Sequence, residues 1–317
     1  MASRRSGRKG KGGKGFMMGV AAVVLAGGGG GLWMAFGAEE KPDTTAAAIN
    51  DLLPAQPGNG GESSSQAPAP AAGLAQVERL LAETSATLAA AEGEAREAAL
   101  RDAYGKLAPL LENPLPVEER ERALPLFHSV TSELFLSSVH NEFSENYVVK
   151  SGDSYDRIAA KAGVSTALLY DLNNRPRGHK ALHPGENLKL PKGQPHVVVR
   201  KRDFTASLYF GQWLVRQYVV AHGKNNNTPE GASTISTMSV DPEKSSRGPN
   251  DQVNEMKLRW MGLSSYGGNR TGIGFHGTQH ADSIPGMTSR GCIRMKDEDV
   301  VELYDMLRIG NKVEVKA

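Results

Sequence analysis

Cysteine is nearly absent, with one residue, Cys292, in 317. That excludes an internal disulfide and leaves the thiol a role in packing or in chemistry. Net positive charge is scarce as well. The total of +2 includes +6 from residues 1–15, which hold Arg4, Arg5, Arg8, Lys9, Lys11 and Lys14 and no acid, so residues 16–317 sum to −4. No basic patch able to neutralise phosphates remains in that larger part, which excludes a nucleic-acid partner.

Charge is missing altogether from Phe16 to Ala38, a stretch long enough to cross a bilayer. Basic residues ahead of such a span keep the N-terminus in the cytoplasm and place everything after Ala38 outside it. Small residues at Ala35 and Gly37 permit cleavage as a signal peptide instead, and the run Gly27–Gly31 weakens a helix. Residues 1–38 are therefore expected to be a basic terminus with a membrane anchor or a cleaved signal. The rest belongs in the cell envelope or outside the cell. Cysteines in oxidising surroundings are usually paired or absent, so a lone one there points to a free reactive thiol.

Large apolar residues are almost missing from residues 39–73, which are rich in Ala, Pro, Gly and Ser and are expected to form a disordered linker. From Leu74 the pattern turns helical. Val77, Leu80, Leu81, Thr84 and Leu88, then Ala95, Ala99, Ala103, Leu107 and Leu111, then Leu124, Phe127, Val130 and Leu134 recur at spacings of three and four. Pro114 and Pro116 break the series. Residues 74–145 are expected to be a small helical region that acts as spacer, docking surface or plain stalk, without chemistry of its own.

Residues 146–192 show a compact βααβ pattern. Val148 and Val149 open a strand, Asp153 or Ser154 caps a helix with Ile158 and Ala162 inward, and Gly163 ends it. Ser165 caps a second helix with Leu168, Leu169 and Leu172 inward, Asn173-Asn174 stops it, and Pro184-Gly185 turns the chain into a strand from Asn187 to Leu190. In order, Tyr147-Val148-Val149, Ser151-Gly152-Asp153-Ser154, Ile158-Ala159, Gly163-Val164-Ser165, Leu172-Asn173 and Pro184-Gly185 resemble a LysM module. That resemblance implies a groove for glycans containing N-acetylglucosamine. Tyr155, where the family usually has an aliphatic residue, and a longer turn from Arg175 to Lys180 depart from its pattern.

The remaining residues are β-rich. His196–Arg200, Ala206–Phe210 and Trp213–Ala221 read as strands, with Gly211-Gln212 as a hairpin turn between the last two. A helix from Asp297 to Leu307, capped by Asp297 and ended by Gly310, precedes a final strand from Lys312 to Val315. The expected architecture is multidomain: a mainly β C-terminal domain over 196–315, a β-sandwich with a capping helix, behind the βααβ module and the helical region.

Gly223-Lys224, Thr228-Pro229-Glu230-Gly231, Phe275-His276-Gly277-Thr278 and Ser289-Arg290-Gly291-Cys292-Ile293-Arg294-Met295 resemble the catalytic domain of L,D-transpeptidases of the YkuD type. Many members have histidine in place of Arg290 and asparagine in place of Arg294. The resemblance implies that Cys292 is the nucleophile and His276 its base, with the Gly277 carbonyl holding the imidazole. It further implies attack on the third residue of a peptidoglycan stem, release of D-alanine and transfer to an amine, with no metal or organic cofactor. The residue types support such chemistry. An imidazole beside a thiol raises its thiolate fraction. A turn over Ser289, Arg290 and Gly291 can aim backbone amides at an oxyanion, and Gly291 admits close approach. Arg294, together with Arg290, can clamp a carboxylate.

Other readings fit parts of the pattern. His276 and His280 have the spacing of a helical metal pair, but the glutamate of a zinc protease is missing between them. His222 lies beside Gly223 and is expected at the surface or along a substrate groove. Residues 239–255 form a lid or a plain long loop. A sortase-like transpeptidase shares the histidine, cysteine, arginine order but not the Thr-Leu-x-Thr-Cys signature. A non-enzymatic wall anchor would use the LysM-like module alone.

Overall fold

The computed structural model describes residues 73–241, 257–264 and 272–317. The expected anchor and linker, and most of the 239–255 segment, lie outside them. No helix among the described residues is long and apolar enough to cross a membrane.

Three helices come first: α1 (Leu74–Ala90), α2 (Gly93–Glu112) and α3 (Val117–Thr131), followed by a π turn at Ser132–Leu136. Their buried positions follow the apolar spacing: Val77, Thr84 and Leu88 on α1; Ala99, Ala103, Leu107 and Leu111 on α2; Ala123, Phe127 and Val130 on α3. Ala95, expected inward, is exposed, so the α2 stripe begins one turn later. Pro116 caps the start of α3, where a missing N–H costs nothing.

The module that follows pairs β1 (Ser144–Val148) with β2 (Asn187–Pro191) in antiparallel register around α4 (Tyr155–Ala162) and α5 (Thr166–Leu172). Ser154 and Ser165 cap the two helices by accepting from the Arg157 and Leu168 amides. Asp153 does not cap; its carboxylate accepts from the Tyr147 hydroxyl and the Lys150 amide, both at 2.8 Å. The inward face of α4 carries Tyr155, Ile158 and Ala159 rather than Ala162. Tyr155 packs on Tyr170, with ring centroids 4.6 Å apart, so the aromatic departure fills the module's own core. Gly163 takes the left-handed conformation at φ +73°.

Ten strands form the rest: β3 (Pro195–Arg200), β4 (Thr205–Phe210), β5 (Trp213–Val219), β6 (Ala221–Gly223), β7 (Gly231–Val240), β8 (Lys257–Leu263), β9 (Gly274–Gly277), β10 (Gly286–Ser289), β11 (Ile293–Met295) and β12 (Lys312–Lys316). Their order across the sheet is β10-β6-β11-β9-β8-β7-β12-β3-β4-β5. The long β7 joins two halves, pairing with β12 through Gly231–Thr234 and with β8 through Ile235–Val240. The expected strand Trp213–Ala221 is split at Val220, whose amide turns aside to the Phe204 carbonyl. Gly211 makes the two-residue hairpin at φ +57°. Helix α6 (Asp297–Met306) packs on β8 and β9 through Val300, Leu303 and Met306. Its cap is Lys296, and Asp297, expected there, sits in the first turn beside Glu298 and Asp299. Leu307 ends it, ahead of Gly310.

The helical region does not stand apart from the sheet. Helix α3 lies on β5, the edge strand, and a buried polar seam joins them. The Arg120 guanidinium donates to Leu111 O and to the Gln217 side chain; His128 Nε2 donates to Gln217 O at 3.0 Å; Arg216 reaches Thr131 Oγ1 at 2.6 Å and Ser132 Oγ at 2.7 Å. Beside the seam, Phe143 meets Phe135 and Trp213 at centroid distances of 4.7 and 5.0 Å, joining helices, module and sheet in one apolar cluster. The module is tied in as well. The buried Lys189 ammonium donates to Ser137 O and Val139 O at 2.7 and 2.6 Å, and Asn311 Nδ2 donates to Gly163 O at 2.8 Å.

Burial lowers the His128 pKa from 6.5 to about 4. The native state holds this ring neutral while the unfolded chain takes up its proton near pH 6.5. Its contribution is complete above that pH and is lost as pH falls towards 4, by up to ~3 kcal/mol. Asp299, raised by burial to about 6, acts in the opposite sense over an overlapping range. Urea unfolding of the parent and His128→Gln from pH 7.5 to 4.5 separates the two: the variant's stability should fall less with acid. Parallel pH curves would remove His128 from this role.

Candidate active site

The turn that bears Cys292 is set by how two short strands share one neighbour. β6 is flanked by β10, parallel to it, and by β11, antiparallel to it. The chain must therefore cross from one side of β6 to the other between Ser289 and Ile293, and residues 290–292 pass over its end at Gly223. A Cβ on Gly223 would lie 2.7 Å from Thr228 N and 3.0 Å from Gly291 Cα, so the crossing is a close backbone contact that only glycine admits.

Register then aligns the side chains. On β11, Arg294 pairs with His276 of β9; on β8, Trp260 also pairs with His276; Arg294 pairs onward with Ala221 of β6. Residues opposite one another share a sheet face, so Trp260, His276 and Arg294 form one rung. Cys292 is two residues before Arg294, in the turn just ahead of β11. The sulfur lies 3.5 Å from the Gly272 carbonyl, at the entrance to β9, and the residue is half-buried.

His276 is buried, and its Nδ1 is 2.7 Å from the Gly277 carbonyl oxygen. A carbonyl only accepts, so Nδ1 carries the proton and a neutral ring has an unprotonated Nε2. The Trp260 ring is tilted against it at 6.2 Å between centroids. Ser289 Oγ accepts from the Gly291 amide at 3.0 Å and donates to Cys292 O at 2.6 Å. The Gly291 amide is thus committed to Ser289 rather than to a bound oxyanion. Gly291 has φ +140°, and a Cβ there would sit 2.7 Å from Ile273 Cδ1, so its glycine serves the turn and this packing rather than substrate approach. Arg294 is buried within the rung, whereas Arg290 is exposed at the apex of the turn.

Three expectations are corrected. His222 is neither at the surface nor along a groove: it is buried in β6, stacked on Phe204 at 5.2 Å, with Nε2 donating to Lys201 O at 3.1 Å. His276 and His280 share no helix face, because the first lies in a strand and the second in an exposed turn after it. The helical region is no detached stalk, for Val117 and Leu124 of α3 pack against Val219, Ala221 and Ile284 near the site. Trp260, Asn227 and Ile273 are additions that the sequence pattern did not single out.

Residues 194–315 match the model of the L,D-transpeptidase catalytic domain, YkuD, and residues 147–191 match the LysM domain. YqjB of Bacillus subtilis (strain 168), named as an L,D-transpeptidase, is 33% identical over 133 residues, 41% of this chain and 74% of that protein. YkuD of the same organism, named likewise, is 30% identical over 177 residues, 53% of this chain and 97% of that protein. Hence the chain belongs to the L,D-transpeptidase family, an enzyme family, and carries a LysM domain ahead of the catalytic one. Among solved structures, an L,D-transpeptidase from Stackebrandtia nassauensis matches with a TM-score of 0.31 and 22% identity, covering 39% of this chain and 55% of that one. One from Mycobacterium tuberculosis H37Rv matches at 0.33 and 15%, covering 55% and 90%.

Gly291→Ala forces an alanine to φ +140° and a methyl against Ile273, a strain of about 1–3 kcal/mol. A lowered melting temperature and slower alkylation of Cys292 by iodoacetamide are expected. Unchanged values for both would mean that the turn tolerates a side chain.

Proposed function

We propose that the chain is a peptidoglycan L,D-transpeptidase whose Cys292 forms a thioester with the third residue of a peptide stem. The observation that carries this is His276, held by Nδ1 on the Gly277 carbonyl in β9, the parallel neighbour of β11, with half-buried Cys292 immediately ahead of β11. A free thiol near pKa 8.5 is only a few per cent thiolate at neutral pH, and transfer of its proton to Nε2 supplies the nucleophile.

The first half-reaction forms the bond from Cys292 Sγ to the carbonyl carbon and breaks the amide to the terminal D-alanine. The imidazolium of His276 returns its proton to the departing amine. In the second half an acceptor amine attacks the thioester, its proton passes to the imidazole, and the thiol is regenerated. Ser289 shapes the turn that bears the sulfur. Arg294, with Arg290 above it, supplies a two-pronged contact to a stem carboxylate. The LysM domain grips the glycan strand, and residues 16–38 hold the chain at the membrane with its working part outside the cytoplasm.

Incubating the full-length chain with a stem tetrapeptide tests this directly. A Cys292 adduct lacking the terminal residue and stoichiometric free D-alanine are expected; intact peptide and unmodified protein would overturn the proposal. Cys292→Ala should abolish the adduct with no loss of melting temperature. His276→Ala should slow acylation by about 10²–10⁴-fold. Normal acylation in that variant would remove His276 as the base.

A further inference from the structure

Three consecutive carbonyls at the nucleophile turn are held by side chains. Arg290 O accepts from Asn227 Nδ2 at 2.9 Å, Gly291 O from Thr228 Oγ1 at 2.7 Å, and Cys292 O from Ser289 Oγ at 2.6 Å. Ser289 belongs to the turn itself and Asn227 is exposed. Thr228 differs from both: it comes from the loop after β6, 63 residues away from Gly291 in sequence, and is almost fully buried.

Its hydroxyl has one proton, which it gives to Gly291 O, and it accepts from the Gly223 amide at 2.8 Å. One hydroxyl therefore links the end of β6 to the peptide that leads into Cys292. The Thr228 carbonyl is held in turn by the buried Lys201 ammonium at 3.2 Å, and that ammonium pairs with Glu230 at 2.6 Å. The loop end that presents the hydroxyl is thus fixed from beneath by β3's exit.

A peptide plane is rigid, so the direction of Gly291 O fixes the direction of the Cys292 N–H on its opposite edge, and with it the Cα that carries the sulfur. Rotation of this plane would swing nucleophile and amide together. We propose that Thr228 is a positioning residue for Cys292: its hydroxyl sets the Gly291–Cys292 peptide plane and thereby the placement of the sulfur relative to His276. This rests on the transpeptidase assignment only in naming the reaction that the sulfur performs.

The test compares Thr228→Val, which keeps shape and removes the hydroxyl, with Thr228→Ser, which restores it, in the full-length chain. Misplacement on the scale of an ångström lowers rates by about a hundredfold, so Thr228→Val should lose roughly that in the acylation rate, with KM for the tetrapeptide changing far less. Thr228→Ser should recover to within about threefold of the parent, since hydroxyl bonding survives the loss of a methyl. Iodoacetamide alkylation of Cys292 across pH gives a reading that needs no substrate: the midpoint should move upward in Thr228→Val and stay in place in Thr228→Ser. If Thr228→Val fails to melt cooperatively, Thr228→Ala, which adds no bulk, takes its place in the same comparison.

A valine or alanine variant with parental acylation and an unmoved alkylation profile would overturn the proposal, and so would a serine variant as impaired as valine. Should the parent leave the tetrapeptide intact while the alkylation midpoints still separate valine from serine, the positioning role stands and the assigned substrate falls.

Discussion

The pairing of β9 with β11 is the constraint on which the rest depends. These are strands of four and three residues, too short to be stable alone, yet their parallel register puts Arg294 beside His276, with Cys292 immediately ahead of β11. A slip of one residue would turn Arg294 to the opposite side of the sheet. The register is secured by neighbours: β8 pairs with β9, β6 pairs with β11, and α6 packs Val300 and Leu303 beneath them. The placement of His276 is thus a product of the sheet's packing, and the turn between β10 and β11 leaves the Cys292 thiol half-buried.

That sheet is in turn supported from its far edge. β5 would be an exposed edge strand, open to pairing with other chains, but α3 covers it. The covering is polar as well as apolar. Arg216 links Thr131 and Ser132 on one side to Glu302 of α6 on the other, at 2.8 Å, so the end of α3 is bridged through β5 to the helix that follows Cys292. Removing either partner from such a seam leaves a buried group without its bond, which costs about 1–3 kcal/mol. Lys189 and Asn311 fasten the LysM domain by the same kind of contact, side chain to carbonyl. Lys189 bonds it to the end of the helical region and Asn311 bonds it directly to the catalytic domain, with only Lys192 to Gln194 between β2 and β3.

Much of this was legible without coordinates where a residue's role is local. Gly163, Ser154, Ser165 and Gly211 each act through their own turn or cap, and each does what its type and position imply. β7 and β8 were not legible. Gly231–Val240 is rich in Ser and Thr, so no apolar alternation marks it, and its role as shared strand comes from pairing with β12 and β8. His222 was misplaced for a related reason: a histidine beside a glycine looks exposed until Phe204, from a loop eighteen residues earlier, stacks upon it.

By itself the sequence determined the order of the domains, the capped helices of the LysM domain, and the residue types able to carry thiol chemistry, because each rests on contacts within a few residues. Tertiary structure alone decided which atoms meet: the tautomer of His276, the commitment of the Gly291 amide to Ser289, the reach of Thr228 to the Gly291 carbonyl, and the seating of α3 on β5. Those depend on strand register and on the crossing over β6. Both are settled by packing between segments far apart in the chain, which local pattern cannot encode.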